Sequence, residues 1–244
     1  MYPHIHLGPS LQISTYFLII SIATIVGSLW FLKRAKDLNL NLTTAIDLAL
    51  VGLIAGFVGA RVLHVLYESP VFYREDWRRI FYVWNGGFVF FGGMIATFFA
   101  SEVFCSLKRE PFWLWADRAA PPLALGYALG RTACFFNGCC FGKHCDLAWA
   151  VYMHGAYRHP TQLYATLLEL VTLGVLLWAE PKLKTNGMLF NLWLVLHALG
   201  RITMELFRDD ARGHLIMGLS LGTFISVLLA GFGFLNLFLN RARR

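Results

Sequence analysis

The chain has 244 residues, of which 57% are hydrophobic, 16% aromatic and only 14% charged. Its mean hydropathy of +0.58 lies above that of soluble globular domains, so the composition argues against a soluble protein and predicts an integral membrane protein. The net charge of +7 fits basic loops beside anionic lipid headgroups, and no part of the sequence has the pattern of a nucleic-acid surface.

Seven apolar stretches are long enough to cross a bilayer, which takes about 20 residues in a helix. They lie at 11–32, 45–67, 88–107, 112–131, 161–180, 187–207 and 214–239. The fourth and sixth contain charged residues and give the weakest signal. We find no internal repeat or flexible linker, and residues 1–10 lack the Lys or Arg of a cleavable signal peptide. The sequence therefore predicts an all-α membrane protein with seven spans in a single domain, residues 1–244.

The distribution of basic residues predicts the orientation, because short cytoplasmic loops retain Lys and Arg. Ten basic residues fall on one side of the spans, in short connections: Lys33, Arg34, Lys36, Lys108, Arg109, Lys182, Lys184, Arg241, Arg243 and Arg244. Seven fall on the other side, over longer segments: Arg74, Arg78, Arg79, Lys143, Arg158, Arg208 and Arg212. We therefore expect the N-terminus outside and the C-terminus in the cytoplasm.

Two long segments lie on the predicted outer side. Residues 68–87 combine charges of both signs with Trp77 and Trp84, a mixture typical of a segment that lies along the headgroup layer. Residues 132–160 contain four of the five cysteines: Cys134, Cys139, Cys140 and Cys145. Because the outer side is oxidising, a structural disulfide or ordinary buried thiols is the favoured interpretation.

Two alternatives for these cysteines stay open. A zinc site could use Cys139, Cys140, His144 and Cys145, although the spacing lacks the paired CxxC pattern of zinc sites. A nucleophilic cysteine would need a neighbouring base and a positively charged setting, which His144 and Arg131 could supply.

Arginines within the predicted spans are the strongest functional signal, because an uncompensated charge in a bilayer costs about 3 kcal/mol or more. Arg201 and Glu205 are four residues apart and should pair on one helix face. Asp117 and Arg118 form either a neutralising pair or part of a site. The arginines exceed the outer carboxylates, so we expect an anionic ligand, and the abundant membrane anion is a phospholipid phosphate. The arginines concerned are Arg61, Arg131 and Arg201, which lie within or at the ends of the spans, with Arg208 close by.

The segment Gly130 to Gly142, GRTACFFNGCCFG, resembles the signature of the prolipoprotein diacylglyceryl transferase family, in which GR precedes NG and a further glycine. Further matches cover nearly the whole chain in order: GPSLQISTY at 8–16, GAR at 59–61, WNGGFVFFGGMI at 84–95, RHPTQLY at 158–164 and GRITMELFRDDARG at 200–213. The resemblance implies a seven-helix protein of the bacterial cytoplasmic (inner) membrane, with its N-terminus outside and its C-terminus inside.

The resemblance also implies an activity. A diacylglyceryl group would pass from phosphatidylglycerol to the thiol of a lipobox cysteine in a prolipoprotein, with release of glycerol phosphate. The implied partners are phosphatidylglycerol, the prolipoprotein signal peptide and membrane lipids, without nucleic acid. No metal ion or cofactor is needed.

Particular residues receive roles by the same resemblance. Arg131 and Arg201 would clamp the phosphate, while Glu205 would orient Arg201 or accept the thiol proton. Asn137 and Gly138 would position the headgroup, and Gly142 would shape the turn. The remaining residues implied in substrate binding are Tyr16, Arg61, Gln162, Tyr164 and Arg208.

The chain departs from the family pattern at four positions. A histidine, an asparagine, an acidic residue and a glutamate of the family are replaced by Phe91, Cys134, Cys139 and Ala165 respectively. These changes affect proton-transfer groups more than the anion clamp. His197, four residues before Arg201, is predicted to be a substitute base, and His64 ranks second.

Three functions stay open. The first is the family's transferase with rearranged proton chemistry, and the second is a paralogue that modifies another thiol, an amine or a hydroxyl. The third is a non-catalytic lipid-binding protein. A transporter is disfavoured, because the sequence shows neither repeated halves nor a pair of broken helices.

Overall fold

The computed structural model describes residues 3–6, 12–209, 215–216 and 219–242. Residues 8–11 of the GPSLQISTY motif and 210–213 of the GRITMELFRDDARG motif lie outside the described residues, as do Arg243 and Arg244.

Helices dominate the described part of the chain. They are α1 (Thr15–Asp37), α2 (Leu42–Leu63), α3 (Pro70–Glu75), α4 (Phe90–Lys108), α5 (Phe112–Asn137), α6 (Thr161–Ala179), α7 (Met188–Glu205) and α8 (Leu221–Ala242). A π-helical turn, His64–Glu68, continues α2, and short 3-10 turns form at Trp77–Phe81, Val83–Asn85 and Glu180–Lys182. All helices except α3 overlap one of the predicted apolar stretches.

Three two-stranded antiparallel ribbons accompany the helices. They pair β1 (His4–His6) with β2 (Gln12–Ser14), β3 (Val151–Met153) with β4 (Ala156–Arg158), and β5 (Leu215–Ile216) with β6 (Leu219–Ser220). In the second ribbon Val151 lies opposite Arg158. This ribbon belongs to residues 132–160, the second segment that the sequence predicts on the outer side and the one called the outer loop below. It lies close to the predicted site residues in the chain.

Five helical segments in the described part of the chain are long and apolar enough to cross a membrane. They are Thr15–Asp37, Leu42–Glu68, Phe90–Lys108, Thr161–Lys182 and Leu221–Leu239. The protein is therefore a helical membrane protein with several spans. Helices α5 and α7 fall outside this set, and they carry the charged residues of the fourth and sixth predicted spans.

Glycines allow α2 and α4 to touch along their backbones. A Cβ atom at Gly59 would lie 2.5 Å from the carbonyl oxygen of Gly92, and one at Gly93 would lie 2.7 Å from that of Gly56. Small residues are the usual way for membrane helices to approach this closely. The glycines of the GAR and WNGGFVFFGGMI motifs therefore fix the α2–α4 contact.

Two prolines inside α5 leave a backbone carbonyl free to accept a hydrogen bond from an arginine of α1. Pro121 and Pro122 have no N–H group, which leaves the carbonyls four residues earlier without their helical partner. Arg34 Nε donates to one of these, the Arg118 carbonyl, at 3.1 Å. Arg34 and Arg118 also each lie 2.6 Å from Glu180 Oε1, which joins α1 and α5 to the end of α6.

Asp117 caps α7 instead of pairing with Arg118. Its buried carboxylate accepts hydrogen bonds from the backbone N–H groups of Gly187, at 2.7 Å, and Phe190, at 2.8 Å. An anion at a helix N-terminus satisfies free amides and interacts favourably with the helix dipole. The neutralising pair considered for Asp117 and Arg118 is wrong, because each residue has a different partner.

Replacing Asp117 by alanine is expected to destabilise the protein by about 2 kcal/mol, because two buried N–H groups would lose a charged acceptor. The midpoint of thermal unfolding in detergent should fall clearly. Asp37→Ala is the matched control, since Asp37 is exposed at the end of α1. Equal midpoints for the two variants would contradict the capping role.

Candidate active site

A cavity of about 1040 Å³ lies among the long helices. It is at the upper end of the range for small-molecule sites, and most of its lining is apolar, as a lipid would require. Its polar lining includes side chains from the beginnings of α1 and α8 and from the last turns of α5 and α7 or just beyond: Tyr16, Arg131, Cys134, Arg201, Arg208 and Ser220. The cavity therefore combines an apolar volume with a cationic region.

Three arginines gather around this cationic region. Arg131, Arg201 and Arg208 all interact electrostatically with the Tyr127 hydroxyl, and Arg201 also feels the charge of Arg208. Like charges repel, so three guanidinium groups that line one cavity favour an anion among them. The Arg131 Nε atom is buried without a hydrogen-bond partner. The structure thus brings to one cavity three of the arginines that the sequence predicts as ligands of an anion.

The predicted pair between Arg201 and Glu205 is confirmed, with 2.9 Å between Arg201 Nη1 and Glu205 Oε2. Gly222 leaves room for this arginine, since a Cβ atom there would lie 2.8 Å from Arg201 Nη2. The same Cβ atom would lie 3.1 Å from Phe91 Cε2. Phe91 and Arg201 both line the cavity, so an apolar ring lies where the resemblance implies a histidine.

Gly142 joins the outer loop to the end of α7. Its N–H donates to the His159 carbonyl at 3.1 Å, and it forms a β-bridge with Arg208. A Cβ atom at Gly142 would lie 2.7 Å from the His159 carbonyl oxygen and 2.8 Å from that of Phe207. Only glycine fits this contact, which supports the predicted role of Gly142 in shaping the turn and places Arg208 at the cavity.

The turn after α5 is fixed by the RHPTQLY motif. Gln162 Nε2 donates to the Cys139 carbonyl, and Thr161 Oγ1 donates to the Cys140 carbonyl at 2.7 Å. The Tyr164 hydroxyl bonds to His159 Nδ1 at 3.1 Å. Gln162 and Tyr164 are not among the residues that line the cavity. Their contacts are those of residues that hold the outer loop in place.

Asn137 and Gly138 lie at the end of α5. Asn137 is the last helical residue and is exposed, and Gly138 follows it with a φ of 75°, the left-handed conformation that favours glycine at a helix end. Neither lines the cavity. The turn they form directs the chain back towards the last turn of α5.

This reversal brings three cysteines together. The Sγ atoms of Cys134, Cys139 and Cys140 lie within 4.8 Å of one another. All five cysteines of the chain are free, so of the two favoured interpretations the structure has thiols and not a structural disulfide. Hydrogen bonds with Cys134 and Cys139, together with the charge of Arg131, hold the pKa of the Cys140 thiol well below its usual range.

His144 and Cys145 do not join this thiol group. The backbone of each is instead paired across the outer loop, with Arg158 and Tyr157 respectively. The sequence-based zinc grouping of Cys139, Cys140, His144 and Cys145 is therefore not the one that the fold assembles.

Arg61 anchors the outer arm, residues 68–87. Its buried guanidinium donates to the carbonyls of Arg79 at 2.8 Å, Ile80 at 3.0 Å and Gly87 at 3.1 Å, and also to that of Gly86. It does not line the cavity. Backbone carbonyls therefore compensate this intramembrane charge, and the structure gives Arg61 a structural role.

His64 belongs to the same arm contact. Its Nδ1 atom lies 3.1 Å from the Tyr73 hydroxyl, and its ring packs beside Gly87. Neither His64 nor His197 lines the large cavity. His197 does line a small cavity together with Tyr127 and Arg201, so the geometry favours His197 over His64 as a substitute base.

His197 pairs with a carboxylate that the sequence analysis did not single out. Its Nδ1 atom lies 2.9 Å from Glu169 Oε2, and the Trp193 indole N–H donates to Glu169 Oε1 at 2.8 Å. A carboxylate only accepts, so Nδ1 of His197 carries a proton. The Nε2 atom is buried without a hydrogen-bond partner. When Nδ1 carries the only ring proton, Nε2 is the ring atom that can accept one.

His197 and Arg201 both line a small cavity of about 10 Å³. Tyr127 and Arg201 line both this cavity and the large one, and the rings of Tyr127 and His197 meet edge to face at 4.5 Å. Tyr127 precedes Arg131 by one helical turn, and Glu169 follows Ala165 by one turn. Residues one helical turn apart lie on the same helix face, so these two spacings could have identified Tyr127 and Glu169 from the sequence.

Comparison with known proteins shows to which family the chain is related. The family model of prolipoprotein diacylglyceryl transferase matches residues 4–239. Three curated relatives are named phosphatidylglycerol–prolipoprotein diacylglyceryl transferase. The relative from Trichormus variabilis is 33% identical over 85% of this chain and 78% of its own length, and that from Clostridium tetani is 28% identical over 96% of each. The relative from Bordetella parapertussis is 35% identical over 77% of this chain and 75% of its own length. The chain belongs to the prolipoprotein diacylglyceryl transferase family.

Proposed function

We propose that this protein is an enzyme that transfers a diacylglyceryl group from phosphatidylglycerol to the cysteine thiol of a prolipoprotein. The observation that carries the proposal is the meeting of three arginines, Arg131, Arg201 and Arg208, with a large apolar cavity. A phospholipid has the matching chemistry, since its phosphate is anionic and its two acyl chains are apolar.

The donor binds with its phosphate between the guanidinium groups. Arg131 and Arg201 hold the phosphate oxygens with paired N–H donors, and Glu205 keeps Arg201 in position. Tyr16 and Arg208 complete the polar region, while the acyl chains lie along apolar lining residues such as Phe31, Leu48 and Trp115. Asn137 and Gly138, which lie at the end of α5 and outside the cavity lining, would contact only a part of the headgroup that extends beyond the cavity.

The transfer itself is a displacement at carbon. The acceptor sulfur attacks the glyceryl carbon that bears the phosphate, a C–S bond forms, and the C–O bond to phosphate breaks. The leaving glycerol phosphate takes the electron pair, and the arginines stabilise its developing charge. His197 receives the thiol proton through the hydroxyl of Tyr127, a residue that lines both cavities.

The membrane arrangement follows the same proposal. All seven long helices cross the bacterial cytoplasmic membrane as a single domain, with the N-terminus outside and the C-terminus in the cytoplasm. The cationic region then faces the outer leaflet, where the signal peptide of a secreted prolipoprotein presents its lipobox cysteine. Membrane lipids surround the apolar helix faces, and the reaction involves no nucleic acid.

Complementation tests this proposal. A bacterial strain depleted of its own diacylglyceryl transferase should regain growth when it expresses this chain, and a lipobox peptide from those cells should carry the added diacylglyceryl mass. An unmodified peptide, despite good membrane expression, would contradict the proposal. Modification of a different thiol, amine or hydroxyl would point to the paralogue, which the replacement of the family's histidine by Phe91 also favours.

A further inference from the structure

Three thiols lie close together where the outer loop meets the large cavity. The Sγ atoms of Cys134, Cys139 and Cys140 lie within 4.8 Å of one another, and Cys134 lines the cavity. Sulfur atoms around a tetrahedral zinc ion, at bond lengths of about 2.3 Å, are about 3.8 Å apart. The three sulfur atoms therefore reach a common ion by small side-chain rotations.

The backbone holds these thiols in place. Gly138 and Cys140 both have left-handed conformations, with φ of 75° and 62°. Such a conformation is uncommon for a residue with a side chain and persists where the surroundings impose it. Here Gln162 and Thr161 bind the carbonyls of Cys139 and Cys140. The turn is thus built to keep the thiols together.

We propose that Cys134, Cys139 and Cys140 bind a zinc ion whose fourth position takes the acceptor thiol. In the part of the chain that the structure describes, no further His, Cys, Asp or Glu joins this group. Zinc sites with three protein ligands and one open position are typical of catalysis. A metal-bound thiol loses its proton, so the ion presents the acceptor as a thiolate. This inference rests on the proposed function.

The surrounding charges suit such an ion. Zinc with three thiolates carries one negative charge, and binding of the acceptor thiolate adds another. Arg131 and Arg208 both lie close enough to Cys140 to interact with its charge, so two guanidinium groups compensate the filled site. The zinc ion thereby supplies the thiol activation that Phe91 cannot.

The reaction balances with zinc unchanged in oxidation state. On binding, the acceptor thiol gives its proton to His197, and a Zn–S bond forms. The sulfur electron pair then forms the C–S bond to the glyceryl carbon, and the C–O bond to phosphate breaks. The thioether product is a weaker zinc ligand than the thiolate and leaves the open position.

Metal stoichiometry tests the site directly. The full chain, purified in detergent with a reductant, loaded with zinc sulfate and desalted, should retain about one zinc ion. Cys134→Ser, Cys139→Ser and Cys140→Ser should each lose it, whereas the matched controls Cys105→Ser and Cys145→Ser should keep it. A wild-type chain without zinc, or zinc retained in all five variants, would overturn the proposal.

Cobalt gives a second readout on the unaltered protein, which needs no variant to fold. With cobalt chloride the protein should show thiolate-to-cobalt charge-transfer bands and the absorption of a tetrahedral ion. A lipobox peptide should change that absorption, and the same peptide with serine for cysteine should not. Spectra without thiolate bands, or equal changes with both peptides, would refute the inference.

The two proposals fail in different ways. If the chain binds zinc through the three cysteines but leaves the lipobox peptide unmodified, the metal site is supported and the proposed transfer is contradicted. If the transfer rate is unchanged after chelation and in all three cysteine variants, the proposed transfer is supported and the metal site is contradicted.

Discussion

Replacing Arg131 by lysine is expected to lower the rate of diacylglyceryl transfer by about 100-fold or more, because one positioned donor group is worth that much at a developing charge. Lysine keeps the positive charge but loses the planar pair of N–H donors that fits a phosphate. Arg131 reaches the cavity from the last turns of α5, where its Nε atom is buried without a partner. Turnover of a lipobox peptide in phosphatidylglycerol vesicles measures the effect.

Arg118→Lys is the matched control for this prediction. Arg118 lies on the same helix, but its guanidinium pairs with Glu180 and does not line the cavity. The control should transfer at nearly the wild-type rate. If both variants lose activity equally, the effect of Arg131→Lys reflects the stability of α5, and the phosphate clamp is wrong.

Replacing Glu169 by alanine should produce the largest loss of stability, about 3 kcal/mol or more, because breaking a buried pair leaves its partners unsatisfied. The carboxylate accepts from the Trp193 indole and from His197 Nδ1, and both donors would be left in an apolar interior. The free energy of unfolding in mild detergent, followed by tryptophan fluorescence, measures the loss.

Two comparisons make the Glu169 prediction specific. Glu102→Ala, on the exposed face of α4, should leave the free energy of unfolding almost unchanged. The double variant Glu169→Ala with His197→Ala should lose less than the sum of the two single losses, because the residues share one hydrogen bond. Additive losses would show that Glu169 and His197 act independently.

The long helices could be predicted because a helix that crosses a bilayer needs a minimum length of apolar residues, and that length can be read directly from the sequence. The charged stretches at 112–131 and 187–207 gave the weakest signal, and they became α5 and α7, which carry Asp117, Arg131 and Arg201. The partners of these charges were not visible. The amides that Asp117 binds at Gly187 and Phe190 lie 70 and 73 residues away in the chain.

Arg61 shows that residue type alone does not reveal what compensates a charge. An intramembrane arginine predicts an anion, but backbone carbonyls of the outer arm compensate this one, and such carbonyls leave no mark in the sequence. The cluster of three cysteines is the opposite case, because its signal is present in the sequence. A glycine such as Gly138 after a helix turns the chain back over the last helical turn, so the proximity of Cys139 and Cys140 to Cys134 could have been inferred.

The central claim is that the arginines bind phosphatidylglycerol for transfer to a thiol, and reconstitution tests it most directly. The purified chain is incubated with a lipobox peptide in vesicles of phosphatidylglycerol or of phosphatidylcholine, and the peptide is examined by mass spectrometry. The account predicts a mass increase of one diacylglyceryl group, with released glycerol phosphate, in phosphatidylglycerol only. An unmodified peptide in phosphatidylglycerol, or equal modification in both lipids, would contradict it.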